Sequence, residues 1–119
     1  MTGTWLGIDA GASGTKVVRR SGGEHEARRF ALGDDAGVIA YARAAGADGI
    51  GATGGGGAAV AEQLADLGPT VVEEFEAWAR GAPIVAGEHD VALDPAHLVV
   101  SVGTGTSAVG GRKSSEPPW

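Results

Sequence analysis

Three observations predict an α/β fold built on a mixed sheet. Short β-branched or apolar runs, separated by glycine turns, open the chain. Helical and strand patterns alternate after them. The clearest buried strand, Leu98-Val99-Val100-Ser101-Val102, comes late and leads into a turn rich in hydroxyls. Hairpin strands followed by alternating strands and helices suit a sheet with antiparallel and parallel neighbours.

Each element has its own signal. Residues 4–9 (Thr-Trp-Leu-Gly-Ile-Asp) read as a short buried strand ending in an acid. Ala10-Gly11-Ala12-Ser13-Gly14 reads as a tight turn, and the β-branched residues 15–20 as the returning strand. Ser21-Gly22-Gly23 is a second turn, and residues 25–32 form a third antiparallel strand. Asp34 or Asp35 caps a helix over 36–45, with Val38, Ile39, Ala42 and Ala45 on one face and Gly46 ending it. Residues 48–53 form a strand, 58–67 a helix and 70–72 a brief strand. Glu73 or Glu74 begins a helix running to about Ala86, and residues 89–96 form a loop. The predicted order is β-β-β-α-β-α-β-α-β, with no internal repeat.

Composition narrows the function classes. The chain has 119 residues, 9 Lys+Arg against 15 Asp+Glu, and a net charge of −6. That balance argues against tracking a nucleic-acid backbone and against a polybasic membrane anchor. No cysteine is present, so disulfides, thiolate zinc sites and thiol nucleophiles are excluded. Apolar runs fall far short of a bilayer span and no secretion signal opens the chain, so a cytoplasmic protein is expected. Leu, Ile, Val and Phe total only 24, beside 22 Gly and 22 Ala. Such a thin core suggests one lobe of something larger.

Four motifs carry chemistry. In Gly7-Ile8-Asp9-Ala10-Gly11-Ala12-Ser13-Gly14-Thr15-Lys16, an acid at a strand end precedes a glycine turn, a hydroxyl and a lysine. Bare backbone lets amides approach phosphate oxygens, Lys16 can neutralise their charge, and Asp9 can hold Mg2+ directly or through water. The stretch lacks the Gly-Lys-Ser/Thr ending of a Walker A loop. Thr53-Gly54-Gly55-Gly56-Gly57 sits where a strand meets a helix, a place that suits an anion or a plain flexible turn. Val72-Glu73-Glu74-Phe75-Glu76-Ala77 puts carboxylates at a strand-to-helix junction, where one can act as a general base. Acids there also suit the helix dipole. Val102-Gly103-Thr104-Gly105-Thr106-Ser107 is a second glycine-hydroxyl turn in the style of the first. His25, His89 and His97 have no metal-ligand spacing, and Trp5 and Trp78 read as packing residues.

Taken in order over residues 4 to 109, these motifs resemble type II pantothenate kinase, a family of the actin-like, sugar kinase and Hsp70 superfamily. The resemblance implies the N-terminal lobe of an actin-like (ribonuclease H-like) ATPase, with the second lobe missing. For the full-length family it implies ATP-dependent phosphorylation of pantothenate to 4′-phosphopantothenate, the first step towards coenzyme A, with Mg2+ as cofactor; this chain alone is expected to have little activity. Gly11, Ala12, Ser13, Gly14, Thr15, Lys16, Val17 and Val18 become the first phosphate hairpin, and Thr104 contacts ATP from the second. Asp9 lies near Mg2+, held through water. Glu74, just before Phe75, matches the catalytic carboxylate that takes the proton from the pantothenate hydroxyl. The full-length family is expected to be homodimeric. Ser13 and Gly14 depart from the usual Thr and apolar residue, and Glu76 stands where Asp is common. Residues 110–119 do not match the family's continuation and read as a disordered or non-native tail after a domain of residues 1–109. Two alternatives remain: another kinase of the superfamily, such as an N-acetylglucosamine kinase-like or BadF-type ATPase, and a non-catalytic remnant or binding module.

Overall fold

The computed structural model describes residues 3–102 and 106–112, with side chains through Ala96. It divides into two units, Met1–Val72 and Glu73–Trp119.

The first unit opens with three antiparallel strands, β1 (Thr4–Gly11), β2 (Gly14–Ser21) and β3 (Glu24–Ala31). Along β1, Leu6, Ile8 and Ala10 are buried and alternate with Trp5, Gly7 and Asp9 on the opposite face. Only Ala12 and Ser13 separate β1 from β2. The turn from β2 to β3 is Gly22-Gly23, both at positive φ (57° and 91°). Two consecutive left-handed residues are what a type I′ hairpin needs, and glycine adopts them without a Cβ clash.

Helix α1 (Asp35–Ala44) starts where Asp34 Oδ1 accepts from the Gly37 N–H at 3.0 Å. It returns the chain to β4 (Gly49–Thr53), which pairs parallel with β1 from Trp5↔Gly49 to Asp9↔Thr53. Helix α2 (Gly57–Gln63) follows, then β5 (Thr70–Val71) beside β4. The spatial order is β3-β2-β1-β4-β5, so the predicted mixed sheet is present, with antiparallel strands on one side of β1 and parallel strands on the other.

The helix expected over 58–67 is shorter. Leu64 leaves helical geometry (φ −107°, ψ 18°), and a 3-10 turn, Ala65–Leu67, completes the stretch before Gly68 at φ 64°. Tightening to i→i+3 bonds satisfies the last carbonyls while Leu64 stays fully buried. Val38 and Ala42 of α1 and Val60, Ala61 and Leu64 pack on Leu6, Ile8, Val17, Ile50 and Ala52 of the sheet. One sheet face therefore forms the core, and many of its residues are small.

The second unit holds α3 (Glu74–Glu88), β6 (Ala96–Val102) and β7 (Thr106–Arg112). Glu73 caps α3, its Oε2 accepting from the Glu76 N–H at 3.0 Å. Phe75 and Trp78 meet edge to face with centroids 5.4 Å apart. The helix runs two residues past the expected end, to Glu88, and Asp90 follows at φ 56°. Strands β6 and β7 pair antiparallel in a two-stranded ladder of their own, from Ala96↔Arg112 to Val102↔Thr106. Strand β7 is absent from the predicted order. It carries Gly110, Gly111 and Arg112, the first three residues of the expected tail, because they lie in register opposite residues 96–98. Residues 113–119 lie outside the described residues.

Candidate functional site

Strand register assembles the first unit's site. Asp9 is the cross-strand partner of Lys16, Lys16 that of Arg29, and Asp9 the parallel partner of Thr53. Paired residues on neighbouring strands share a face. Arg29, Lys16, Asp9 and Thr53 therefore form one row across β3, β2, β1 and β4, on the face opposite the core. The row lies at the carboxyl ends of the parallel pair β1 and β4, where open α/β sheets bind ligands.

At one end of the row, Ser13, Gly14, Thr15 and Lys16, together with Arg29, Phe30 and Ala31 of the paired strand, line an open cleft of about 230 Å³. Gly14 (φ 143°) is required there, because a Cβ would stand 2.8 Å from the Phe30 carbonyl oxygen. The departure from the family pattern at position 14 thus has a packing reason: β3 closes directly onto the hairpin.

At the other end, Thr53 Oγ1 is buried and has no hydrogen-bond partner. Beside it, Gly54 stands at φ 86°, and a Cβ on it would meet the Ala10 carbonyl oxygen at 2.6 Å and Asp9 Oδ1 at 2.7 Å. The glycine run thus folds against the end of β1. Two of its amides are used in doing so: Gly56 N–H donates to Ala10 O and Gly57 N–H to Gly54 O, each at 3.0 Å. The packing of Gly54 on Ala10 and Asp9 fits the turn reading of this run.

The other predicted residues separate by face. Gly11 ends β1 opposite Gly14, and Ala12 and Ser13 are exposed at the turn. Val18 shares the face of Lys16 and Asp9, whereas Val17 is fully buried in the core opposite Ile8. Val17 can offer a ligand only its backbone, which lies in the ladder between β1 and β3. Thr104 lies outside the described residues. Arg29 was not singled out by sequence, and Thr53 only as the first residue of the glycine-run motif. The signal for Arg29 was the Gly22-Gly23 turn, which sets the β2–β3 register.

In the second unit, the three acids at the start of α3 have different employment. Glu73 caps the helix, and Glu76 pairs with Arg80 at 3.2 Å. Glu74, the first helical residue and half-buried, makes no side-chain hydrogen bond or ion pair among the described residues.

Among the described residues, no three His, Cys, Asp or Glu side chains gather as a metal cage. One carboxylate and an unsatisfied hydroxyl fit Mg2+ that keeps several waters and arrives on phosphate oxygens. No described helix is long and apolar enough to cross a membrane.

Comparison with solved structures defines the class. YeaZ from Pseudomonas aeruginosa superposes with a TM-score of 0.54 at 15% identity, over 97% of this chain and 61% of that one. The Aquifex aeolicus member of the Ppx/GppA family gives 0.51 at 15% identity, over 92% of this chain and 47% of that one. Both are actin-like ATPase folds, and this chain has that fold. No family model matches it. In sequence it is 33% identical, over 102 residues, to a type II pantothenate kinase of Staphylococcus saprophyticus. That match takes in 86% of this chain, which spans 38% of the kinase.

Proposed function

We propose that this chain supplies the phosphate-binding hairpin and the general base of an ATP-dependent kinase that phosphorylates pantothenate to 4′-phosphopantothenate, opening the route to coenzyme A. The observation that carries the reading is the row Lys16–Asp9–Thr53 at the mouth of a glycine hairpin, in an actin-like ATPase fold. The likeness to a pantothenate kinase supplies the acceptor. Because the chain spans 38% of that kinase, the complete reaction is proposed for the whole enzyme.

In this reading the hairpin from Gly11 to Val18 holds the ATP phosphates, with amides at the turn and the Lys16 ammonium spreading their charge. Thr104 adds a contact to the ATP phosphates. Asp9 would hold Mg2+, with the Thr53 hydroxyl beside it in the row as a further polar group. Bound Mg2+ supplies charge neutralisation on the transferred phosphoryl group. Glu74 takes the proton from the pantothenate hydroxyl as its oxygen attacks the γ-phosphorus and the bond to the ADP oxygen breaks. Phosphoryl transfer depends mainly on positioning and charge, so these few groups carry most of the catalysis. Glu74 suits the base because the capping and ion-pairing duties of the segment fall to Glu73 and Glu76.

The test has two arms. ATP with MgCl2 is titrated into the chain and into Asp9→Asn and Lys16→Ala, each of which should weaken binding. Labelled ATP is then offered to a full-length enzyme carrying this chain, with pantothenate or with N-acetylglucosamine. Transfer to pantothenate alone, falling about 10²- to 10⁴-fold in Glu74→Gln, supports the reading. Transfer to the amino sugar instead overturns the acceptor. Unchanged ATP binding in both first-arm variants overturns the site.

A further inference from the structure

Lys16 and Arg29 stand directly opposite each other in the β2–β3 ladder. Like charges in that relation repel and destabilise a sheet. Neither makes an ion pair or a side-chain hydrogen bond among the described residues, although the chain carries a net charge of −6. The contrast with neighbouring cations is direct. Arg28, one residue earlier and on the core face opposite Val17, lies 5.1 Å above the Tyr41 ring. Arg43 is held by Asp66 and Arg80 by Glu76. Arg29 and Lys16 instead both line the 230 Å³ cleft beside the Ser13-Gly14-Thr15 turn. Gly14 holds that cleft together, because any side chain there would push away Phe30 and the strand that carries Arg29.

We infer that Arg29 is a second phosphate-binding cation, pairing with Lys16 to grip the polyphosphate chain of a nucleoside triphosphate in the cleft between the β1–β2 turn and the end of β3. This deepens the proposed nucleotide site and rests on it. The guanidinium fork takes two oxygens of one phosphoryl group, while the Lys16 ammonium acts as a point charge beside it. An anion between them turns the repulsion of the pair into shared attraction. Arg29 lies eleven residues beyond Val18, outside the stretch whose spacing marked the hairpin.

The experiment titrates four probes, ATP with MgCl2, ADP with MgCl2, AMP and inorganic tripolyphosphate, into the chain. The same series is run on Arg29→Ala, Arg29→Lys and Arg28→Ala, with thermal unfolding recorded for each. Arg29→Ala is expected to weaken ATP and tripolyphosphate about 10- to 100-fold, the scale of charge-assisted bonds to one group. AMP should change far less, and Arg29→Lys should recover part of the loss. Arg28→Ala should leave phosphate binding unchanged. If Arg29→Ala binds ATP as the unaltered chain does, or Arg28→Ala weakens it equally, the inference is overturned and the hairpin reading survives. If the unaltered chain binds neither ATP nor tripolyphosphate, the hairpin reading itself falls, and the inference with it.

Discussion

Replacing Gly54 by alanine probes the site and the fold together. Gly54 stands at φ 86°, and an L-residue held at positive φ costs about 1–2 kcal/mol. The new methyl would lie 2.6 Å from the Ala10 carbonyl oxygen and 2.7 Å from Asp9 Oδ1. The carboxylate can rotate away. The carbonyl cannot, because it is backbone at the end of β1 and accepts the Gly56 N–H at 3.0 Å. Displacing it forfeits that bond, worth about 0.5–1.5 kcal/mol. Strain and lost bond together put the destabilisation at about 1.5–3.5 kcal/mol. For a domain of this size that lowers the melting temperature by roughly 6 °C or more. The neighbouring Gly55→Ala is the control, since its Cβ meets nothing within 4 Å and its φ is not positive. It should stay within about 0.5 kcal/mol of the unaltered chain. Urea titration followed by circular dichroism measures both variants, and ATP titration shows whether Asp9 has been displaced. Gly54→Ala and Gly55→Ala melting together at the unaltered temperature would refute the close-packing argument.

Other outcomes follow from the same geometry. Thr53→Val keeps the shape and removes a buried hydroxyl that lacks a partner. The free chain should gain about 1 kcal/mol by denaturant titration while Mg2+-dependent ATP binding weakens; a loss of stability would mean the hydroxyl has a structural partner. Glu74→Gln should lose only the helix-dipole contribution of about 0.3–1 kcal/mol, because no described side chain depends on that carboxylate, so a large transfer defect is chemical. Arg43 holds the Asp66 carboxyl below its usual value, chiefly through their hydrogen bond. A depressed folded value means the stabilisation is complete above the unfolded value near pH 4 and is lost as acid carries the pH below it. Asp66→Asn should therefore reduce the difference in melting temperature between pH 7 and pH 3. An unchanged difference would show that the exposed pair contributes nothing.

The hairpins were legible because their signals are local. Gly22-Gly23 and the Ala12-Ser13 turn sit between alternating runs, and pairing about the first turn places Asp9 opposite Lys16, seven positions on. Glu74 stood out through its neighbour Phe75, but the sequence could not say which of three adjacent acids was uncommitted. That answer needed the Glu73 cap and the Glu76–Arg80 pair. The glycine run 54–57 suited either an anion or a plain turn. Its Gly56 and Gly57 amides turn back on β1 and on the run itself, a choice made by packing and invisible in composition.

By itself, the sequence determined the order of strands and helices through α3, the acid-glycine-lysine motif and the absence of thiol chemistry. These depend on turn residues, side-chain period and residue type, which act over a few positions. Tertiary structure alone decided that Arg29 and Thr53 join Asp9 and Lys16 in one row, and that residues 106–112 return as a strand. Those placements depend on register between strands distant in the chain. Register follows from which faces the core buries and from where a glycine lets two backbones meet.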